Sequence, residues 1–270
     1  GCEVNYGESC PPAVVPLNMD RLDDRIFDIA FNSKAFKDFE EMCEKLKIKY
    51  GYLTGDVNWS GILNIALDLR GQEIFTDMYD DAEGVKSFFG NIAGILERFT
   101  AWIESRTGTS SISVNRMVKH FSQPVLLHSE CSHTMISVEN YLEFLLPYDV
   151  QWSLDRKPFG IHYCGKDPHR YAEAFSQIPN LDFFDAGWGG DIQLLRKALP
   201  DTFLNIRLSP VEMVDMDENQ IASWIRKLVN DSGNPFLTGI CCINMDDRVP
   251  DKKVDILFET VNELRQEYCQ

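Results

Sequence analysis

The sequence predicts an α/β protein built from repeated strand and helix units. From about residue 50 onward, short apolar runs alternate with longer amphipathic runs, which is typical of parallel β/α units. The apolar runs carry polar residues or glycines at their carboxyl ends, where both a β/α barrel and an open doubly wound sheet collect their functional groups. Both architectures therefore fit these patterns.

Six apolar runs are candidate strands, at 50–57, 124–130, 159–164, 181–187, 202–208 and 236–242. Amphipathic patterns predict helices between them, at 82–104, 138–148, 169–177, 191–199 and 217–230. Ser137 and Asp191 precede two of these helices and are suitable N-caps. The first 49 residues differ, because they read as an irregular lead-in with one amphipathic helix over 33–47.

The composition argues against two classes of partner. A formal charge of −16 repels phosphate backbones and anionic lipids, so we expect neither nucleic acid nor membrane binding. No run reaches the roughly 18 apolar residues of a membrane helix, and the first residues lack the pattern of a signal peptide. We therefore expect a cytoplasmic protein whose cysteines are reduced thiols.

The stretch FGIHYCGK places His162 and Cys164 two residues apart in a predicted strand, so their side chains share a face. Imidazole, thiolate and carboxylate are common zinc ligands. Cys241 or Cys242 at the end of the last strand would supply a third ligand. Glu130, which ends its own strand, would be a fourth ligand that substrate displaces.

Two other interpretations of these residues remain open. A histidine or cysteine on an apolar strand more often packs in the core than binds metal. The stretch HSECSH offers a competing cluster, but strand alternation puts His128 and Glu130 on one face and Cys131 and His133 on the other. Asp185 ends another predicted strand, where its carboxylate could cap a helix or accept a local hydrogen bond.

In the order and spacing of its motifs, the chain resembles the uroporphyrinogen decarboxylase superfamily, and within it the zinc-dependent corrinoid methyltransferases. The resemblance covers nearly the whole chain. The motifs that carry it are GCEV at the start, SGILNIALDLRG (60–71), MISVENYLEFLLPY (135–148), IHYCGKDP (161–168), FFDAGWGGDI (183–192), NIRLSP (205–210) and the final GICCINMDDRVPDKKVDILFETV.

The resemblance implies one barrel domain over 1–270, with 1–49 as lead-in and 50–270 as β/α units. The family barrel has eight strands, and the six candidates here match its third to eighth strands, so we expect an incomplete barrel. An open barrel exposes strand edges, which proteins normally cover or pair. We expect residues 1–50 or a partner subunit, as in a homodimer, to cover the gap.

The resemblance also implies a site. The family's zinc ligands map onto His162, Cys164 and Cys241, with Glu130 as the best position for an acidic ligand. Asp185 would orient the substrate or a ligand. The implied reaction moves a methyl group from a corrinoid carried on a partner protein to a small thiol or similar acceptor.

Two alternatives to a methyltransferase follow from the same fold. A decarboxylase or related lyase would need arginines converging on its substrate, whereas Arg207 and Arg248 look isolated in the sequence. A charge of −16 also disfavours a polyanionic porphyrinogen. The other alternative is a noncatalytic subunit that binds or handles a corrinoid, for which a missing metal together with a paired barrel edge would be evidence.

Overall fold

The computed structural model describes residues 2–8, 10, 12–53, 59–107, 118 and 120–269, without the side chains of 24–26. The chain forms two compact units. The first comprises Gly1–Val118 and His128–Tyr148, and the second comprises Lys119–Leu127 and Asp149–Gln270. Among the described helices, none combines the length and apolar character needed to cross a membrane.

The first unit is mainly helical. A short antiparallel hairpin, β1 (Glu3–Asn5) and β2 (Ala13–Val15), precedes a 3-10 helix at Asp24–Asn32. The α-helices that follow are α1 (Lys34–Tyr50), α2 (Ile62–Arg70), α3 (Glu73–Asp80), α4 (Ala82–Thr107) and α5 (Val138–Phe144). Helices α2 and α3 pack against α4, whose buried stripe includes Phe88, Phe89 and Ile92. A second 3-10 helix, Cys131–Met135, leads into α5.

A five-stranded sheet lies mainly in the second unit, with residues 128 and 129 of its first strand belonging to the first unit. Its strands run in the order β3 (Leu126–Ser129), β4 (Phe159–His162), β5 (Phe183–Ala186), β6 (Phe203–Leu208) and β7 (Thr238–Cys242). Strands β4 to β7 pair in parallel. All residues of β4, β5 and β6 are buried, as expected for parallel strands that are covered on both faces.

Helices connect these strands. They are α6 (Leu146–Asp155), which begins in the first unit, α7 (Ala172–Phe175), α8 (Ile192–Ala198), α9 (Pro210–Asp215), α10 (Glu218–Asp231) and α11 (Asp251–Tyr268). Helices α10 and α11 pack together around a cluster that includes Ile221, Ile225, Leu257 and Leu264. Asp217 and Gln220 form a capping box at the start of α10.

One arginine joins the amino ends of the last strands. The guanidinium of Arg196 on α8 donates hydrogen bonds to backbone carbonyls on the segments that enter β6 and β7. The acceptors are the carbonyl oxygens of Leu199, Pro200, Thr202, Ser232 and Leu237. Burial lowers the pKa of Arg196. Its planar fork of donors lets one side chain satisfy several carbonyls at once.

Five of the six predicted strands are confirmed as β3 to β7, and the predicted caps Ser137 and Asp191 accept the expected backbone hydrogen bonds. The first predicted strand, 50–57, is wrong at its start, because Tyr50 ends α1 and Gly51 terminates that helix with a positive φ of 77°. Residues 54–57 lie outside the described part of the chain. Within that part, no pairing closes β7 onto β3.

Candidate functional site

A lateral row of side chains crosses the sheet of the second unit. His162 is the register partner of Asp185, Asp185 is the partner of Asn205, and Asn205 is the partner of Gly239. Register partners on parallel strands share a face, so the side chains of His162, Asp185 and Asn205 lie next to one another. The next partners along β6 and β7 on that face are Arg207 and Cys241.

His162 contacts a carboxylate on one side and a thiol on the other. Its Nδ1 lies 2.5 Å from Asp185 Oδ2, and its Nε2 lies 2.6 Å from Cys164 Sγ. A proton on Nδ1 satisfies the carboxylate and leaves Nε2 facing the sulfur. Burial lowers the pKa of His162, but the hydrogen bonds to Asp185 and Cys164 outweigh burial and raise it to about 9.

Arg207 belongs to the same group of side chains. Its interpretation from the sequence as an isolated cation is therefore wrong. Its Nη2 donates to Asp185 Oδ2 at 2.5 Å and lies 2.8 Å from His162 Nδ1. His162 Nδ1 and Arg207 Nη2 therefore both direct a proton at Asp185 Oδ2. Burial raises the pKa of Asp185, but the hydrogen bond from His162 and the charge of Arg207 hold it below its usual value. Arg248 is also paired, with Asp246.

Asn205 connects this group to Cys241. Its Nδ2 donates to Asp185 Oδ1 at 2.9 Å and to Cys241 Sγ at 3.2 Å. Burial and the charge of Asp185 raise the pKa of the Cys241 thiol to about 12. Cys242 follows on the strand and packs against the apolar cluster of α10 and α11, and burial raises the pKa of its thiol to about 11.

Close backbone contact fixes the loops that follow β4 and β5. A Cβ atom on Gly187 would lie only 1.8 Å from the carbonyl oxygen of Gly165, which is the residue after Cys164. A Cβ atom on Gly190 would lie 2.6 Å from the ring of Pro168. The loop that carries Cys164 is therefore seated directly against the loop after Asp185, and only glycine permits this approach.

Glu130 lies in the first unit, where it caps a helix. Its carboxylate accepts hydrogen bonds from the backbone N–H groups of Leu63 at 2.7 Å, Asn64 at 3.1 Å and Ser132 at 3.3 Å. Leu63 and Asn64 belong to the first turn of α2, whose N-cap, Gly61, has no capping side chain. Burial raises the pKa of Glu130 to about 7, although the charge of His128 and these hydrogen bonds lower it.

The two histidines of HSECSH lie next to each other, and one of them lies close to this carboxylate. His128 Nε2 lies 3.8 Å from Glu130 Oε2, as alternation predicts. The prediction for His133 is wrong, because β3 ends at Ser129 and a 3-10 helix brings the His133 ring to 6.1 Å from the His128 ring. Both histidines are fully buried. Whether Glu130 ever acts as a metal ligand stays a prediction.

His162 and Cys164 suit a zinc ion chemically, whereas the sulfur of Cys241 does not lie within 4.8 Å of both of their donor atoms, so the structure does not bring the third predicted ligand to them. Imidazole and thiolate are the ligands zinc prefers, and Arg207 interacts electrostatically with both Cys164 and Cys241. Bonds of about 2.0 Å to nitrogen and about 2.3 Å to sulfur, in a tetrahedron, require these two donors to lie about 3.5 Å apart. His162 Nε2 and Cys164 Sγ would therefore separate by about 1 Å from their hydrogen-bonded distance on binding.

Sequence reasoning missed Asn205 and understated Arg207. A signal was available, because Asn205 and Arg207 alternate with leucine and isoleucine in β6 and so point to one face of an otherwise apolar strand. Both are buried, at 5% and 4% exposure, so each needs a polar partner. Their positions relative to His162 and Cys241 depend on the sheet register, which the sequence does not specify.

Comparison with solved structures identifies a protein of similar fold. A methyltransferase from Methanosarcina mazei superimposes with a TM-score of 0.67 over 98% of this chain and 76% of that one, at 11% sequence identity. The two chains share a fold. At this identity the similarity extends to the fold alone. No protein-family model matches the chain, and no curated protein matches it.

Proposed function

We propose that this chain is a zinc-dependent methyltransferase-like enzyme of the uroporphyrinogen decarboxylase superfamily. It would move a methyl group from a methylated corrinoid protein to a small thiol or similar acceptor. The observation that carries the proposal is the contact of His162 with Cys164 at the carboxyl end of β4, backed by Asp185. The shared fold with a methyltransferase supports it.

His162, Cys164 and Cys241 would hold the metal. When bound, zinc would lower the pKa of a substrate thiol and so favour the reactive thiolate. Asp185 accepts the Nδ1 proton of His162, which directs the Nε2 lone pair toward the ligand position. Arg207 adds a hydrogen bond to the same carboxylate and balances its buried charge.

We also propose that the five strands belong to an incomplete β/α barrel, consistent with the shared fold. Strands β3 and β7 are the edges of the described sheet. A second copy of the chain, or the lead-in at 1–49, would cover an open edge of such a sheet. The oligomeric state in solution, measured by analytical ultracentrifugation, tests the first of these two possibilities.

The two arginines considered for a decarboxylase are committed to other partners. Arg207 is held by Asp185, and Arg248 is held by Asp246. A site for a substrate with several carboxylates needs cations whose charge is available. These pairings count against a decarboxylase that would use these two arginines.

Elemental analysis of the purified protein is the first experiment. We expect about one zinc per chain, lost in Cys164→Ser and Cys241→Ser and retained in Cys242→Ala. The last variant is a matched control, because Cys242 neighbours Cys241 in β7 but packs into the apolar cluster of α10 and α11. Wild-type protein that contains no zinc after it has been refolded in the presence of zinc would overturn the proposal.

Activity is tested with methylcobalamin as donor and a panel of small thiols as acceptors. Demethylation of the corrinoid is followed by its absorbance. We expect turnover by wild-type protein and Cys242→Ala and none by Cys164→Ser. Zinc binding without turnover of any thiol would favour a noncatalytic corrinoid-handling subunit.

A further inference from the structure

Strand β6 supplies no predicted metal ligand, yet it carries the side chain that joins the two sides of the site. His162 lies on β4, two strands away, and Cys241 lies on β7, one strand away. The amide of Asn205 stands between Asp185 and Cys241. Three consecutive hydrogen bonds therefore run from His162 through Asp185 and Asn205 to Cys241.

The chemistry of the partners fixes the orientation of this amide. A carboxylate and a cysteine sulfur bound to metal both act as acceptors, and an amide nitrogen offers two N–H donors. A flipped amide would direct its oxygen at the carboxylate of Asp185, which is repulsive. The two N–H groups of Asn205 therefore match the two acceptors that face them.

Gly239 keeps the space that this amide occupies. A Cβ atom at position 239 would lie 3.1 Å from Asn205 Oδ1 and 2.9 Å from the ring of Phe203. Contacts this short require the neighbouring atoms to move. The amide is therefore confined between the backbone of β7 on one side and Asp185 on the other.

We infer that Asn205 is a positioning residue, which fixes the sulfur of Cys241 at the place from which it would move onto the metal and couples it to His162 through Asp185. This inference rests on the proposed zinc site. Partners in the outer shell of a metal site fix the orientation of its ligands, and their loss typically weakens metal binding ten- to a hundredfold. Asn205 itself touches neither metal nor substrate.

The test compares zinc affinity in Asn205→Ala, Gly239→Ala and a matched control, Asn180→Ala. Asn180 also donates through Nδ2, to the backbone carbonyl of Ser153 at 3.1 Å, but it precedes the amino end of β5, whereas the site lies toward the carboxyl ends of the strands. Affinity is measured by competition with a chelating dye. We expect a loss of about ten- to a hundredfold in the first two variants and less than about twofold in the control.

Cobalt substitution separates positioning from a merely structural effect. The sulfur-to-cobalt charge-transfer band reports on the orientation of the thiolates, and we expect Asn205→Ala to shift or weaken it while Asn180→Ala leaves it unchanged. Circular dichroism of the metal-free proteins establishes that each variant is folded. If Asn205→Ala does not fold, Gly239→Ala provides the same comparison, because it displaces the amide without removing it.

The outcomes distinguish the two proposals. Wild-type protein that binds zinc, with unchanged affinity and an unchanged cobalt spectrum in folded Asn205→Ala or Gly239→Ala, overturns the positioning role and leaves the proposed function standing. Wild-type protein that binds no zinc overturns the proposed function and this inference with it.

Discussion

Asp185 receives hydrogen bonds from three side chains of the candidate site. His162 and Arg207 both contact its Oδ2, and Asn205 donates to its Oδ1. The carboxylate is fully buried, and an uncompensated buried charge would cost several kcal/mol. These three partners make an ionised carboxylate tolerable in that position and fix the ring of His162.

Glu130 predicts a pH dependence of stability. Its pKa is about 7 in the folded chain against an ordinary value of 4.5, so the folded state binds the proton more tightly than the unfolded state does. The free energy of unfolding therefore falls as pH rises from 4.5 to about 7, by up to about 3 kcal/mol. Below this range the full contribution is present, and above it the contribution is lost.

Urea unfolding across this pH range, in wild-type protein and Glu130→Gln, measures the effect. Glutamine is neutral at every pH, so we expect the stability difference between the two proteins to change across the window. Glu259→Gln, an exposed change on α11, should follow the wild-type profile. Parallel profiles for wild type and Glu130→Gln would contradict the prediction.

At the scale of single residues, the sequence predicts which side chains of one strand lie close together better than it predicts which side chains of different strands do. Strand alternation places His162 beside Cys164, and the structure has their donor atoms in contact. Two of the three backbone partners of Glu130 come from α2, 66 and 67 residues earlier, and the partners of Asp185 come from other strands 20 to 23 residues away. No local pattern carries such pairings.

At the scale of elements, the contact between the loops after β4 and β5 predicts a severe effect of Gly187→Ala. The new methyl group would collide with the backbone oxygen of Gly165, which cannot move without shifting the loop of Cys164. We expect a loss of about 3 kcal/mol in the free energy of unfolding, together with reduced zinc binding. Denaturant unfolding and elemental analysis measure both.

Gly94→Ala is the matched control for this change. Gly94 lies inside α4, and a Cβ atom there meets no atom within 4 Å. Alanine should stabilise the helix by about 0.5–1 kcal/mol, because glycine loses more backbone entropy on folding. If Gly187→Ala and Gly94→Ala both unfold at the same denaturant concentration as wild-type protein, the contact between the loops after β4 and β5 does not contribute to the free energy of unfolding.

The elements that the sequence missed have physical causes in common. Helix α2 begins at a glycine and takes its cap from Glu130, so no local capping residue marks its start. Strands β1 and β2 have three residues each, all exposed, and lack the apolar alternation of a half-buried strand. The strands of the sheet were predictable because burial makes each one a continuous apolar run.

For the whole molecule, zinc should act as a stabilising ligand. A metal that binds only the folded chain adds about 2.7 kcal/mol when its free concentration is a hundred times Kd. For a protein of this size that corresponds to a rise of about 5–10 °C in the melting temperature. Calorimetry of metal-free wild-type protein with added zinc measures the rise.

The same titration with Cys164→Ser provides the control. We expect its melting temperature to stay constant as zinc is added, because a ligand has been removed while the fold remains. Exposed carboxylates on a chain of charge −16 could also attract the cation weakly, and such binding would raise both melting curves equally. An equal rise in the two proteins would therefore argue against a specific site.

The Arg196 hydrogen bonds to the segments entering β6 and β7 have a consequence for how this chain can change over time. They anchor the amino ends of two strands, whereas His162, Asp185 and Cys241 lie toward the carboxyl ends of theirs. Substitutions among the side chains at the carboxyl ends can therefore accumulate while the anchored amino ends stay intact. A new specificity could evolve at one end of this sheet without passing through unfolded ancestors.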